Sequence, residues 1–268
     1  MFECKLICTD IDGTLLDGNH QITDETKHAI AKAYKQGITI ALVSGRIAQS
    51  IAVLQEELDI TGPLGCYSGS LVLDRGKTLA SHPVHWQSCL NVLSAIEGSG
   101  LETFVFTNES WYIDHWGPWY DVESEVSKTQ GRIVPFSEME ERFSSSLELP
   151  YKLLCMSEDT LLIKNMERKL KEQFSSVLNI YTSSPKYIEI SQKGIDKGHA
   201  VRALCTAYGY APSQVMAIGD YYNDIGMFRA AGYAVAMDNA PDEVKQYACH
   251  ITSSNKDNGL AKAIEAIL

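Results

Sequence analysis

The stretch Cys8-Thr9-Asp10-Ile11-Asp12-Gly13-Thr14-Leu15 constrains this chain more than any other. Phe2 to Cys8, just before it, reads as a short apolar strand, and Gly13 can take backbone angles closed to other residues. A strand that ends on Asp-x-Asp-Gly-Thr places two carboxylates side by side at the carboxyl edge of a sheet, where open α/β sheets bind ligands. Two acids so close repel each other, so the pair calls for a cation between them or for two different protonation states. Alone, such a match is also compatible with a simple turn or a calcium-like site.

The rest of the chain supplies company for that pair. Thr23 to Gln36 reads as a helix with Asp24 and Glu25 in its first turn, a buried stripe of Ala29, Ile30, Ala33 and Tyr34, and Gly37 as its stop. Ile38 to Val43 is a second buried strand, ending on Ser44-Gly45-Arg46 before a helical pattern from Ile47 to Leu58. Strand, short polar turn and helix, repeated, is the signature of a mostly parallel sheet. The pattern changes near His82. Leu101 to Thr107, Trp111 to His115 and Tyr151 to Met156 read as strands of a separate sheet, with helices at Trp86 to Ile96 and Asp159 to Phe174. Residues 83–185 are therefore expected to form an inserted α+β domain within a core made of 1–82 and 186–268. The first rhythm is expected to resume at Tyr187 to Ser191. It continues with a helix opened by Asp196-Lys197-Gly198, a strand Val215 to Ile218 stopping on Gly219-Asp220, a helix opened by Asn223 and Asp224, a strand Tyr233 to Met237 and a closing helix Gly259 to Ile267.

Composition narrows the function. With 23 Lys and Arg against 34 Asp and Glu, the net charge of −11 argues against nucleic-acid and anionic-membrane partners, which need a basic face. An anionic substrate then needs local positive charge, from a metal or a few placed cations. The seven cysteines are odd in number and contain no Cys-x-x-Cys pair, so neither a disulfide framework nor a zinc site is expected. No apolar run approaches a membrane span and no leader pattern opens the chain, so a cytoplasmic protein is expected, as a monomer or homodimer.

Four polar clusters now follow strand ends: Asp10 with Asp12, Ser44-Gly45-Arg46, Lys197, and Asp220 with Asn223 and Asp224. In a parallel sheet these ends share one edge. Carboxylates and water are the ligands Mg²⁺ prefers, completed by substrate phosphate. Helix amino termini after Ser44 and Asn223 offer unpaired N–H groups to an anion. Such parts suit phosphoryl transfer: one Asp attacks phosphorus, and its neighbour handles the proton of the leaving oxygen and of the hydrolytic water. The residues themselves leave open which of Asp10 and Asp12 attacks.

Asp10-Ile11-Asp12-Gly13-Thr14, Ser44-Gly45-Arg46, Lys197 within Gly194-Ile195-Asp196-Lys197-Gly198, and Gly219-Asp220-Tyr221-Tyr222-Asn223-Asp224-Ile225-Gly226-Met227 resemble, in order, the four motifs of the haloacid dehalogenase (HAD) superfamily of phosphatases. The long insert between the second and third motifs is similar to the Cof-type branch with its type IIB cap, whose members act largely on sugar phosphates and related small molecules. The resemblance implies a Rossmann-like α/β core of parallel strands with an inserted α+β cap. It implies Asp10 as nucleophile and Asp12 as general acid/base. Mg²⁺ is implied to be held by Asp10, the backbone carbonyl of Asp12, and Asp220. Ser44, Lys197 and Asn223 are implied to contact phosphate, with Gly45 beside them, and Thr14, Arg46 and Asp224 in support.

Two segments depart from the branch. Ser68-Gly69-Ser70 stands where Asn-Gly-Ala is usual, and Met237-Asp238-Asn239-Ala240 where Met-Gly-Asn-Ala is usual. Both fall at expected rim positions, which bears on substrate preference. Arg46 is open between a surface helix residue and a site role. The aromatic stretch Phe104 to Tyr120 reads first as packed cap core and second as substrate pocket. His82, His85 and His115 lack metal-ligand spacing, and Cys8 reads as a small core hydrophobe. The expected activity is Mg²⁺-dependent hydrolysis of a small phosphomonoester, most simply a sugar phosphate. The alternatives are a phosphomutase, a phosphatase of cofactor phosphates such as pyridoxal phosphate or FMN, and a phospho-ligand sensor without turnover.

Overall fold

The computed structural model describes residues 3–144 and 148–268, so Phe2, where the expected opening strand begins, lies outside the described residues. The first unit starts with β1 (Leu6–Thr9), α1 (Asp24–Lys35), β2 (Thr39–Val43), α2 (Ala48–Glu57), β3 (Leu64–Cys66) and a hairpin of β4 (Leu71–Asp74) and β5 (Lys77–Ser81). Every residue of β1 is buried, as an apolar run in the middle of a sheet must be. Thr23 caps α1 by accepting the Thr26 N–H at 3.3 Å. Ala29, Ile30 and Ala33 form the helix's buried stripe as expected, whereas Tyr34 turns outward and is 36% exposed. Its hydroxyl instead reaches the backbone of Thr61, 3.3 Å from both the N–H and the carbonyl.

The second unit spans His82–Ile195 and has its own core. Its elements are α3 (Trp86–Ile96), β6 (Glu102–Thr107), β7 (Trp111–Ile113), α4 (Pro118–Ser127), β8 (Arg132–Ile133), α5 (Met139–Ser144), β9 (Pro150–Met156), α6 (Thr160–Phe174), β10 (Leu178–Ser184) and β11 (Tyr187–Gln192). They form a six-stranded sheet in the order β10-β11-β9-β6-β7-β8. Asp159 caps α6 through the N–H groups of Leu161 and Leu162. Phe104, Phe106, Trp111 and Tyr112 are almost wholly buried, so this part of the aromatic stretch is core, while Trp116 is 59% exposed. The strand expected to restore the first rhythm at Tyr187 to Ser191 does not do so. β11 lies between β9 and β10 and pairs antiparallel with both, so it belongs to the second sheet. An isolated strand sequence shows its length and burial but not its partner, so the sequence places the boundary at 185, whereas the second unit extends to Ile195.

The first unit resumes with α7 (Lys197–Tyr208), β12 (Val215–Gly219), α8 (Ile225–Ala230), β13 (Tyr233–Ala236), α9 (Asp242–Lys245), β14 (His250–Ile251) and α10 (Gly259–Glu265). Its eight-stranded sheet runs β14-β13-β12-β1-β2-β3-β4-β5, parallel from β14 to β3 and antiparallel through the hairpin. Thr9 lies opposite both Leu42 and Ile218. Asp10, Ser44 and Asp220, which follow those three residues closely, therefore leave the sheet along one edge. The expected α/β fold with an inserted α+β unit is the observed one.

Candidate active site

Asp10 follows β1 and is held there by its N–H, which donates to Ile218 O at 2.9 Å. Asp10 is 4% exposed, and its carboxylate sits 2.6 Å from the Lys197 ammonium. Lys197 opens α7, is itself 1% exposed, and lies 2.6 Å from Asp224 as well. Two carboxylates thus share one buried cation. The other Asp224 oxygen accepts the N–H groups of Asp220 and Tyr221 at 2.8 and 2.9 Å, which shapes the loop after β12. Asp220 completes the group, with ligand oxygens of Asp10, Asp220 and Asp224 all within 4.8 Å of one another.

Gly13 explains how the loops approach so closely. Its φ of +84° suits glycine, and a Cβ there would collide with the Asp220 carboxylate. Thr14, buried beside it, donates its hydroxyl to Asp220 Oδ1 at 2.8 Å.

The electrostatics follow from burial. Desolvation and the neighbouring Asp224 charge raise the Asp10 acid well above the ordinary carboxylate value, more than Lys197 lowers it. The same two causes push Asp220 up to about 6. Burial alone would lower Lys197, but Asp10 and Asp224 outweigh it and raise its pKa above the usual lysine value. The three carboxylates offer a cluster of oxygen donors, the ligand type that fits a hard divalent cation.

The remaining predicted residues take different places. Asp12 turns its carboxylate outward, 49% exposed, into a two-point pair with Arg46: Nε to Oδ2 at 2.9 Å and Nη2 to Oδ1 at 2.5 Å. Arg46 thus has a partner in the site and is not a free surface residue. Ser44 is buried at the end of β2, and its carbonyl accepts the Ser68 N–H at 2.9 Å. Gly45 is half-buried beside it, and α2 starts after Ile47 without a side-chain cap. Asn223 lies exposed on the loop after Asp220. Ser68 adopts φ +54°, a left-handed conformation between Tyr67 at +50° and Gly69 at +92°, where asparagine is easier to accommodate than serine. Asp238 is not among the described residues with positive φ, so the glycine usual at that position is not needed for its backbone angles. Its carboxylate pairs with Lys245 at 3.3 Å.

One residue had no role assigned from sequence. Asn239 donates to Gly13 O at 3.0 Å and to Asp220 Oδ2 at 3.2 Å. Its place just past β13, on the same edge as the other clusters, was the available signal. His85 caps α3 by accepting the Gln87 N–H, His115 is exposed, and Cys8 is wholly buried.

Residues 7–264 match the family described as haloacid dehalogenase-like hydrolase. The 5-amino-6-(5-phospho-D-ribitylamino)uracil phosphatase YwtE of Bacillus subtilis is 30% identical over 291 residues, covering 98% of each chain. The pyridoxal phosphate phosphatase YbhA of Escherichia coli is 24% identical, covering 97% of each. A crystal structure of a haloacid dehalogenase-like hydrolase from Bacteroides thetaiotaomicron superposes with a TM-score of 0.88 at 27% identity, over 99% of this chain and 100% of that one. With the ordered motifs on one sheet edge and the match running almost end to end, this chain belongs to the haloacid dehalogenase-like hydrolases, in their Cof-type phosphatase branch.

Proposed function

We propose that the protein is a Mg²⁺-dependent phosphatase of small phosphomonoesters, working through an aspartyl-phosphate on Asp10. The observation that carries this reading is the buried Asp10–Lys197–Asp224 chain with Asp220 against it. It puts a nucleophilic carboxylate, a fixed ammonium and two further acids in one small volume.

Asp10 and Asp220 are the carboxylates proposed to hold the ion, with the Asp12 carbonyl. Asp224 already gives one oxygen to Lys197 and the other to two backbone N–H groups, which suits a supporting role. A bound Mg²⁺ supplies charge neutralisation for Asp10 and the phosphate oxygens. The Asp10 carboxylate attacks phosphorus, the bond to the leaving oxygen breaks, and Asp12 gives that oxygen its proton. Water then attacks the phosphorus of the aspartyl-phosphate, loses a proton to Asp12, and frees inorganic phosphate with Asp10 restored. Arg46 engages both oxygens of Asp12, so protonation of the leaving group requires the pair to part when substrate arrives. Lys197, Ser44 and the first turn of α2 bind phosphate oxygens, with Asn223 at the rim.

The substrate class proposed is a sugar phosphate or its close analogue, with the inserted unit as the cap that selects the leaving group. A cofactor-phosphate reading has support in the pyridoxal phosphate phosphatase relative. The ribitylaminouracil phosphatase relative acts, by its name, on a phosphorylated ribityl chain carried by a ring, between the two classes. Phosphate release from sugar phosphates, ribityl phosphates, pyridoxal phosphate and FMN, with and without Mg²⁺, separates them. Metal-dependent release from one group supports the proposal, and silence across the panel with an isomerised sugar phosphate as product would favour a mutase. No described helix is long and apolar enough to cross a membrane.

The raised Asp220 acid gives a pH prediction for the metal-free protein. The folded state holds this proton up to about pH 6 and the unfolded chain releases it near the ordinary carboxylate value. Across that window the folded state binds more protons, so the site's contribution to stability falls as pH rises and is lost above about pH 6. Replacing the acid by an amide removes this dependence. Calorimetric melts of wild type and Asp220→Asn without metal are therefore expected to diverge, with the variant gaining relative to wild type between about pH 4 and pH 7. Saturating Mg²⁺ is expected to raise the wild-type melting temperature more at neutral pH than at acidic pH, because protons compete with the ion for the same carboxylates.

A further inference from the structure

Asn239 ties together the two loops that carry the acidic groups. Its Nδ2 donates to Gly13 O in the loop after β1 and to Asp220 Oδ2 in the loop after β12, at 3.0 and 3.2 Å. Its Oδ1 accepts the backbone N–H of Asn255 at 2.9 Å. A backbone N–H bonds only an acceptor, so this contact fixes which way the amide faces and commits Nδ2 to the site. Asn255 is anchored in turn, its own Nδ2 donating to Leu16 O at 2.8 Å. Thr14 meanwhile donates to the other Asp220 oxygen.

We infer that Asn239 is a positioning residue for metal binding, orienting the Asp220 carboxylate and setting its distance from the loop that carries Asp10. The inference rests on the metal reading proposed above. Each Asp220 oxygen carries one donor from outside its own loop, Thr14 on one and Asn239 on the other, and keeps a further lone pair for a cation. A carboxylate so held meets the ion without first losing rotational freedom. The amide is also neutral, so it orients the acid without competing for the ion's charge. An aspartate in its place would set an acceptor against Gly13 O and against a second carboxylate, turning two attractions into two repulsions while barely changing the volume.

The test is calorimetric titration of the full-length, metal-free protein with MgCl₂ alone, in the absence of substrate. Loss of an orienting partner of this kind weakens metal binding by about 10- to 100-fold, so Asn239→Ala is expected near the lower figure and Asn239→Asp near or beyond the upper one. At saturating Mg²⁺ the KM for substrate is expected to stay at the wild-type value and kcat to recover to within a few-fold, a split that a general packing defect would not produce. Thermal melts establish that each variant is folded, and Asn239→Ala alone decides the matter if Asn239→Asp does not fold. A folded variant with wild-type Mg²⁺ affinity overturns the inference and leaves the phosphatase reading standing. A wild-type protein that takes up no Mg²⁺ overturns the metal reading, and this inference with it.

Discussion

Asp10→Asn is expected to lower phosphate release by about 10⁴-fold or more, because an amide cannot form the aspartyl-phosphate. The same substitution is expected not to lower the melting temperature of the metal-free protein at neutral pH. In the folded chain this acid is buried beside Asp224, and both influences work against its charged form more strongly than Lys197 favours it. A neutral side chain of the same shape relieves that opposition, and its carbonyl oxygen can still face the Lys197 ammonium. The expected result is thus an inactive protein that melts at or above the wild-type temperature, with a smaller Mg²⁺-induced shift. Phosphate release and calorimetry on the two proteins, side by side, check both halves. A variant that is inactive because it is unfolded would show a collapsed melt and would not support the mechanism.

Lys197→Met is expected to have the opposite balance. Lys197 is 1% exposed and answers two carboxylates at 2.6 Å, so removing it leaves buried acids facing each other without a cation. Breaking a buried pair from one side costs about 3–5 kcal/mol. Denaturant unfolding of the metal-free variant at neutral pH is the measurement. The loss is expected to shrink at acidic pH, where the carboxylates can take up protons, and to be reduced by Mg²⁺, which replaces part of the missing charge. Turnover is expected to fall by about 10³-fold even at saturating metal, since the ammonium also answers the charge of the transferring group. A variant as stable as wild type at neutral pH without metal would show that Lys197 does not hold this cluster together.

These two outcomes differ because the site is an electrostatic assembly, and that shapes what a sequence can reveal. The ordered polar clusters after apolar strands were readable, since a parallel sheet necessarily gathers the ends of β1, β2 and β12. The helix after Thr23 was readable from its acidic first turn, its apolar stripe and the Gly37 stop, while the caps at Thr23 and Asp159 are seen in the structure. The placement of Tyr187 to Ser191 was not, because β11 is defined by its hydrogen-bonded neighbours β9 and β10, and strand partners are not written in a strand's own composition. Tyr34 failed for a related reason: a helical stripe predicts a face, but a tyrosine at its margin can turn its ring out and use its hydroxyl on the backbone. Within the site, spacing placed Asp12 near Asp10 but could not show that its carboxylate turns away to Arg46. Asn239 escaped because its contribution is an amide bridging two loops distant in sequence, a role without a local signature.

The most direct test of the central claim is to trap the intermediate. The phosphomonoester turned over fastest in the panel, labelled in its phosphoryl group, is mixed with enzyme and Mg²⁺ and quenched in acid within the first turnover. Peptide mapping then locates the label. The account predicts label on the peptide that carries Asp10, accumulating before steady state and absent from Asp10→Asn. Label on another residue, or unimpaired turnover by Asp10→Asn, would contradict it.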